Sequence, residues 1–195
     1  MNTLDTQTMA VVVVVILALL AVGAWLYTRK RQSDRLIQRF GPEYGRAVDE
    51  MGSRAKAESE LRTREKRVEK LNLVPLAPAE AARFSQDWKA LQGRFVDNPK
   101  GVLMEADQLV RDLMGKRGYP MGDFESRAAD ISVDHPAVVE HYRAAQAIAL
   151  RDQRGEADTE EMRKGVVHYR ALFDELLEVS LDERAATARE LEVHS

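Results

Sequence analysis

A run of uncharged residues near the N-terminus limits what this chain can fold into more than any other feature. The run extends from Met9 to Tyr27 and holds 19 residues without a charged side chain. As an α-helix it is about 28 Å long, which matches the hydrocarbon thickness of a bilayer. Its consecutive valines leave no hydrophilic face, so an amphipathic helix on the membrane surface is excluded. The sequence therefore predicts a short tail at residues 1–8 and one transmembrane helix over residues 9–28.

The residues that flank this run predict its orientation. No Lys or Arg precedes it, whereas Arg29, Lys30 and Arg31 follow it directly. Trp25 and Tyr27 lie at the same end, where amphipathic aromatic side chains favour the interface. The positive-inside rule then predicts a single-pass protein of the cell (inner or plasma) membrane, with its N-terminus outside and its C-terminal domain in the cytoplasm. We interpret the basic cluster as setting this topology and not as a site for a particular lipid.

A cleaved signal peptide is the alternative interpretation of the same run. Signal peptides have a basic segment before a shorter apolar stretch. Here the basic residues come after the apolar stretch, as in a stop-transfer sequence. The order of charges therefore favours a retained anchor.

Residues 29–72 are predicted to form a basic juxtamembrane segment and a charged stalk helix. Residues 29–70 include 13 basic and 8 acidic side chains, a net charge of +5. A thin apolar stripe recurs at spacings near three and four, and Glu58 and Glu65 interrupt it. Its members are Tyr44, Val48, Met51, Ala55, Leu61, Val68 and Leu71. Such a stripe predicts packing on the rest of the chain or a homo-oligomer formed through the stalk.

Two prolines mark the next boundary. Pro75 and Pro78 prevent a continuous helix, so residues 73–79 are predicted to be a linker. Beyond it, apolar residues repeat with helical spacing in several segments, and turns separate these segments. The first stripe consists of Phe84, Trp88, Leu91 and Phe95. The fold class that follows is all-α: a transmembrane helix, a stalk helix and an antiparallel helical bundle over residues 80–195.

Short motifs predict where individual helices of the bundle begin and end. Asp123 is placed to cap a short helix, and Gly118 to end the helix before it. Asp158 or Thr159 is predicted to start a helix after Gly155. Ser180 has a glutamate three residues later, a capping-box pattern that predicts a separate final helix from that point.

No pattern in the sequence indicates a catalytic or metal centre. The absence of cysteine excludes thiolate metal sites and a cysteine nucleophile. Phosphate-binding loops, serine-hydrolase elbows and zinc-protease helices are also absent from the sequence. His141 and His168 have no glutamate at the spacing used by di-iron bundles. We therefore predict no cofactor and no enzymatic activity.

Asp130, Asp134 and His135 are the polar candidates for a functional site. They lie in the most polar, turn-rich part of the body and are able to form a small acidic pocket. The alternative is that they cap helices, as short aspartate side chains commonly do. An enzyme or small-ligand binder with a site near residues 123–141 is therefore the second hypothesis for function.

Several segments resemble a family of bacterial membrane-anchored helical proteins that has no established activity. The resembling segments are residues 39–48 (RFGPEYGRAV), 117–120 (RGYP), 124–136 (FESRAADISVDHP) and 168–173 (HYRALF). The resemblance implies a hydrophobic N-terminal segment, a charged helix and a helical domain. It implies no mechanism.

The first hypothesis for function is a membrane-tethered interaction or scaffold module. Residues 71–195 contain 16 basic and 23 acidic side chains, a net charge of −7, which disfavours nucleic-acid binding. The predicted partners are the lipid bilayer, through residues 9–28, and an unidentified protein.

Overall fold

The chain forms helices separated by short turns. The structure, a computed structural model, describes the backbone of residues 2–193 and the side chains of Met9 and residues 11–177. Over these residues it has eight helices and no strand, which confirms the predicted all-α class. The helices are α1 (Asn2–Phe40), α2 (Pro42–Met51), α3 (Arg54–Val68), α4 (Pro78–Gly93), α5 (Pro99–Arg117), α6 (Phe124–Asp134), α7 (Val139–Gln153) and α8 (Thr159–Val193).

The first helix joins the apolar run to the folded part of the chain without a break. Its N-terminal part is long and apolar enough to cross a membrane, and the large apolar side chains there are exposed. Further along the same helix, Leu36 and Phe40 are buried. No flexible linker therefore separates the apolar run from the body.

The segment predicted to be one stalk helix is a pair of helices. Gly41 and Pro42 separate α1 from α2, as expected from a positive-φ glycine followed by a first-turn proline. Gly52 then ends α2 in the left-handed conformation, with φ of 62°. The prediction of a single stalk helix was wrong, because Gly52 adopts a conformation that other residues rarely take. This conformation lets the chain fold back on itself.

These two helices and the end of α1 form a small hydrophobic core of their own. We call residues 33–71 the proximal unit. Its core contains Leu36, Phe40, Tyr44, Ala47, Ala57, Leu61 and Val68, together with Val133 from α6. Most of the predicted stalk stripe is thus covered by the same chain. A homo-oligomer through residues 44–71 stays a prediction, and it would have to use the exposed side of this hairpin.

Helices α4–α8 form the bundle. Phe84, Trp88 and Leu91 are buried in its core as predicted, and Phe95 is half-buried. The Trp88 ring stacks on Phe173 of α8, with 4.6 Å between the ring centres. The bundle core and the proximal core are joined by the half-buried side chains of Leu71 and Leu73, which pack against both.

The prediction of a separate final helix at Ser180 was wrong. Helix α8 runs from Thr159 to Val193 without interruption in its backbone. Asp158 does cap this helix: its Oδ1 accepts a hydrogen bond from the backbone N–H of Glu161 at 2.8 Å. Asp123 also caps α6 as predicted, by accepting from the backbone N–H of Ser126 at 2.9 Å.

Candidate functional site

Asp130 and Asp134 connect the bundle to the proximal unit. Asp130 is buried, and its Oδ1 lies 2.6 Å from Nη2 of Arg67 on α3. Asp134 lies 3.5 Å from Nη2 of Arg39 on α1. The Nε of Arg39 also donates to the carbonyl of Val133 at 3.4 Å. Both aspartates of α6 therefore pair with arginines that come from the proximal unit.

His135 faces a different part of the chain. Its ring is buried, and its Nδ1 lies 3.1 Å from Oε1 of Glu175 on α8. The three candidate side chains thus contact partners on three different helices, and no contact among them supports a shared pocket in the described structure. Asp130 also lies inside α6, so the alternative that it caps a helix is wrong for that residue.

Glu43 is the central residue of this junction, and sequence reasoning missed it. Its side chain is almost fully buried, and its Oε1 accepts from Nη1 of Arg64 at 3.0 Å and from Nη2 of Arg143 at 2.9 Å. Arg143 also donates to Glu125 at 2.6 Å. One carboxylate thus links α2, α3 and α7. The available signal was its spacing of four residues from Ala47, which places both on the buried face of α2.

The predicted membrane-flanking residues lie on two faces of α1. Trp25 and Tyr27 are exposed, and the Arg29 guanidinium lies over the Trp25 ring, 5.2 Å from its centre. Arg29 and Lys30 face α3, whereas Arg31 lies on another surface of α1 beside Asp34. These basic residues are consecutive in sequence, but the helix places them on different faces.

A basic cavity lies between α1 and the start of α3, directly after the apolar run. It has a volume of about 340 Å³ and is lined by Arg29, Lys30, Ser33, Arg54, Ala55 and Glu58. Three cationic side chains face one carboxylate, which leaves a formal excess of two positive charges. Ala55 belongs to the first turn of α3, whose N-cap Ser53 makes no side-chain capping hydrogen bond. The positive end of that helix adds to the basic character of the cavity.

A hydrogen-bond network connects three of the residues that line this cavity, Ser33, Arg54 and Glu58. Arg54 donates to the Ser33 hydroxyl at 2.6 Å, to the Tyr44 hydroxyl at 2.8 Å and to Glu58 at 3.2 Å. Ser33 and Tyr44 in turn donate to Glu58. Burial alone would raise the pKa of Glu58, but the bonds from Ser33, Tyr44 and Arg54 outweigh it and hold the pKa below its usual value. Glu58 is therefore kept as a carboxylate with its charge already compensated.

Two histidines meet on the surface of the bundle. The Nδ1 atoms of His141 on α7 and His168 on α8 are 2.9 Å apart. Burial, and then the neighbouring His141 ring, lower the pKa of His168. Among the described residues no group of three or more His, Asp or Glu side chains is arranged to hold a metal ion.

Comparisons with known proteins give no relative from which function is transferable. No protein-family model matches the chain. No curated protein matches it. No solved structure matches it. The likeness to bacterial membrane-anchored helical proteins stays a prediction, and function is inferred from the chain's own contacts.

Proposed function

We propose that this chain is a single-pass membrane protein that holds a rigidly attached helical interaction module at the cytoplasmic face of the cell membrane. One observation carries the proposal: α1 is exposed and apolar in its first part and buried in the proximal core at Leu36 and Phe40. The same helix thus needs an apolar surrounding at one end and belongs to the folded body at the other.

The exposed apolar side chains support the membrane part of the proposal. From Val11 to Leu26 the large apolar side chains of α1 are at least half exposed. Exposed apolar surface of this extent marks a membrane or protein contact, because water disfavours it by about 25 cal/mol per Å². The length of the run matches a bilayer, so lipid is the surrounding that fits.

The orientation rests on the charges beside the run. Arg29, Lys30 and Arg31 follow it, and no Lys or Arg precedes it. Retention of basic residues on the cytoplasmic side is the general rule for short flanking segments. The proximal unit and the bundle would then lie in the cytoplasm.

The role as an interaction module follows from the tether and the body together. A domain fixed to a membrane raises the local concentration of whatever it binds there. Asp130 and Arg143 pair with the proximal unit, whereas His135 contacts Glu175 within the bundle. These buried polar side chains therefore connect helices of the chain. No specific contact favours the rival hypothesis of a small-ligand site in that segment.

Topology is tested with single cysteines, because the chain has none of its own. Val96→Cys places a thiol at a side chain that is 88% exposed in the body, and Thr6→Cys places one before the apolar run. In intact cells a membrane-impermeant maleimide should label Thr6→Cys and should label Val96→Cys only after permeabilisation. The reverse pattern would place the body outside the cell. A protein mass that lacks the apolar run would instead identify it as a cleaved signal peptide.

The interaction role is tested by affinity purification of the full chain from membranes. The matched control carries residues 1–32 fused to an unrelated soluble protein, so that it has the same anchor and basic flank. We expect at least one protein to co-purify with the full chain and not with the control. Identical sets of recovered proteins would contradict an interaction role for the body.

A further inference from the structure

We propose that the basic cavity between α1 and α3 binds the headgroup of an anionic phospholipid. The inference rests on the proposed membrane insertion of α1 and goes beyond it, because a tether requires no particular lipid. The site consists of Arg29 and Lys30 on α1 and Arg54 on α3, with Ser33 between them.

The depth of the cavity fits a headgroup. Arg29 and Lys30 follow Tyr27 by two and three residues, which is about 3 to 5 Å along a helix axis. The headgroup region extends about 5 to 7 Å on each side of the hydrocarbon core. Both cationic side chains thus start within that region. Ser33 lies about 9 Å beyond Tyr27, and the bond from Arg54 to its hydroxyl holds a third cation just outside that region.

The charges of the cavity are available for an external anion. Within the described part of the chain, Arg29 and Lys30 form no ion pair, and only the Trp25 ring is stacked against Arg29. The one carboxylate, Glu58, is occupied by Ser33, Tyr44 and Arg54. Arg54 keeps a 60% exposed side chain after making these bonds. A phosphodiester anion is the ligand that such a set of donors recognises.

Position favours a lipid over a free phosphate ion. The cavity opens directly beside the end of the apolar run, where the acyl chains of a bound lipid would lie along Trp25 and its neighbours. A soluble inorganic anion has no acyl chains with which to contact that surface. Arg29 and Lys30 therefore do more than set the topology. Arg54, which lies 24 positions after Lys30 in the chain, completes the binding surface that they form.

The test uses the full chain in vesicles of phosphatidylcholine and phosphatidylglycerol in which one of the two lipids carries brominated acyl chains. Bromine quenches Trp25 at the interface, while Trp88 is buried in the bundle core and supplies a constant signal. We expect brominated phosphatidylglycerol to quench Trp25 more strongly than its mole fraction in the bilayer predicts. The ratio of the two quenching curves gives the relative affinity for the anionic lipid.

Three variants separate a site from general electrostatic attraction. Lys30→Gln should lower the relative affinity about tenfold, the effect of losing one hydrogen bond between charged groups. Arg54→Gln should lower it comparably. Arg31→Gln removes the same charge one position later and should lower it by no more than about twofold, because Arg31 does not line the cavity and Asp34 lies beside it. Equal losses for Lys30→Gln and Arg31→Gln would overturn the site.

The remaining outcomes each decide a different question. Loss of the preference in dilute inorganic phosphate, but not in chloride of equal ionic strength, would identify a free anion as the favoured ligand and overturn the lipid proposal. Equal quenching by both lipids would overturn it while leaving the membrane tether intact. No quenching by either lipid would overturn the tether and the lipid site together. Because Lys30 has no contact in the described chain that holds the fold together, its variant remains informative even if Arg54→Gln unfolds.

Discussion

His168 and His141 form a contact whose strength depends on the protonation of the two rings. Their Nδ1 atoms lie 2.9 Å apart across the seam between α7 and α8. This geometry suits one neutral ring that donates to the other, whereas two imidazolium rings would repel each other. Burial and the His141 ring therefore both favour the neutral form of His168 and lower its pKa.

We predict that this contact stabilises the fold above about pH 6.5 and is lost in acid. The folded pKa of His168 lies below its unfolded value of 6.5. The unfolded chain thus binds more protons between the two values, and the free energy of unfolding falls as the pH falls through that interval. Denaturation of the full chain in detergent at a series of pH values, compared with His168→Gln, measures the difference. Parallel pH profiles for the two proteins would contradict the prediction.

Glu58 and Glu65 show which residues a periodic pattern misjudges. Both interrupt the apolar stripe, yet both are buried in the structure. Each has a partner on α1: Ser33 donates to Glu58, and Arg39 lies 3.4 Å from Glu65. Periodicity counts only the residues of one segment, so it does not show that a distant segment will compensate a charge.

Gly118 is the residue on which the join between the linker and α5 depends. It ends α5 with φ of 94°, and a Cβ atom there would lie 2.5 Å from the carbonyl oxygen of Asn72. The backbone N–H of Val74 also donates to the carbonyl of Arg117 at 2.9 Å. The linker therefore runs against the end of α5 at a distance that only glycine permits.

We predict that Gly118→Ala lowers the free energy of unfolding by about 1 to 3 kcal/mol or more, because it adds both backbone strain and a steric clash. Gly93→Ala is the matched control, since no atom lies within 4 Å of the Cβ position there and its φ is not positive. Chemical denaturation of both variants measures the difference. Similar losses for the two would show that the approach of Asn72 does not determine the effect.

Two capping-box patterns in the last helix had different outcomes for a local reason. Asp158 and Glu161 cap reciprocally, since the Asp158 backbone N–H also donates to Glu161 at 3.1 Å. Gly155, with φ of 72°, interrupts the helical conformation just before them. Ser180 follows Leu176 and Leu177 with no such breaker, and the backbone stays helical through it. A capping motif predicts a helix start only where the preceding residues have left the helix.

The described body contains two hydrophobic cores, which are joined by Leu71 and Leu73 and by a set of ion pairs. Asp130 and Asp134 of the bundle pair with Arg67 and Arg39 of the proximal unit. Across the same junction, the carboxylate of Glu43 in the proximal unit pairs with Arg143 of the bundle. Removing one partner of a buried pair leaves the other charge uncompensated. The two parts should therefore depend on each other for stability.

We predict that Glu43→Gln lowers the free energy of unfolding by about 3 kcal/mol, the lower end of the range for a broken buried pair, because Arg64 keeps Glu60 and Arg143 keeps Glu125. The effect should also appear in the fluorescence of Trp88, although Trp88 lies in the other core. Urea denaturation in a Trp25→Phe background measures that signal alone.

Glu50→Gln is the matched control for this variant. Glu50 is exposed and forms a single pair with Arg46 at 2.8 Å, so its loss should cost less than about 1 kcal/mol. If Glu43→Gln left the Trp88 transition unchanged, the two cores would be independent of each other.

Sequence patterns predicted the all-α class and several helix starts, but not the turn at Gly52 or the unbroken course of α8. They did not identify the junction or the basic cavity. Arg54 lies 21 residues from Ser33, and Arg143 lies 100 residues from Glu43, so neither contact has a local signature. The turn at Gly52 brings Arg54 back to α1, and its effect depends on a backbone conformation that glycine permits but does not require.

The unbroken course of α1 has a consequence for how a partner would find this protein. A domain on a flexible linker sweeps a hemisphere above the bilayer, with a reach that grows with the length of the linker. Here the first buried residue, Ser33, lies only about 9 Å along the axis from Tyr27. Typical spans tilt by about 20°, so in the proposed arrangement the body stays at one height and turns only with its helix. A membrane-bound partner would then meet it by diffusion in the plane of the membrane, always at the same height.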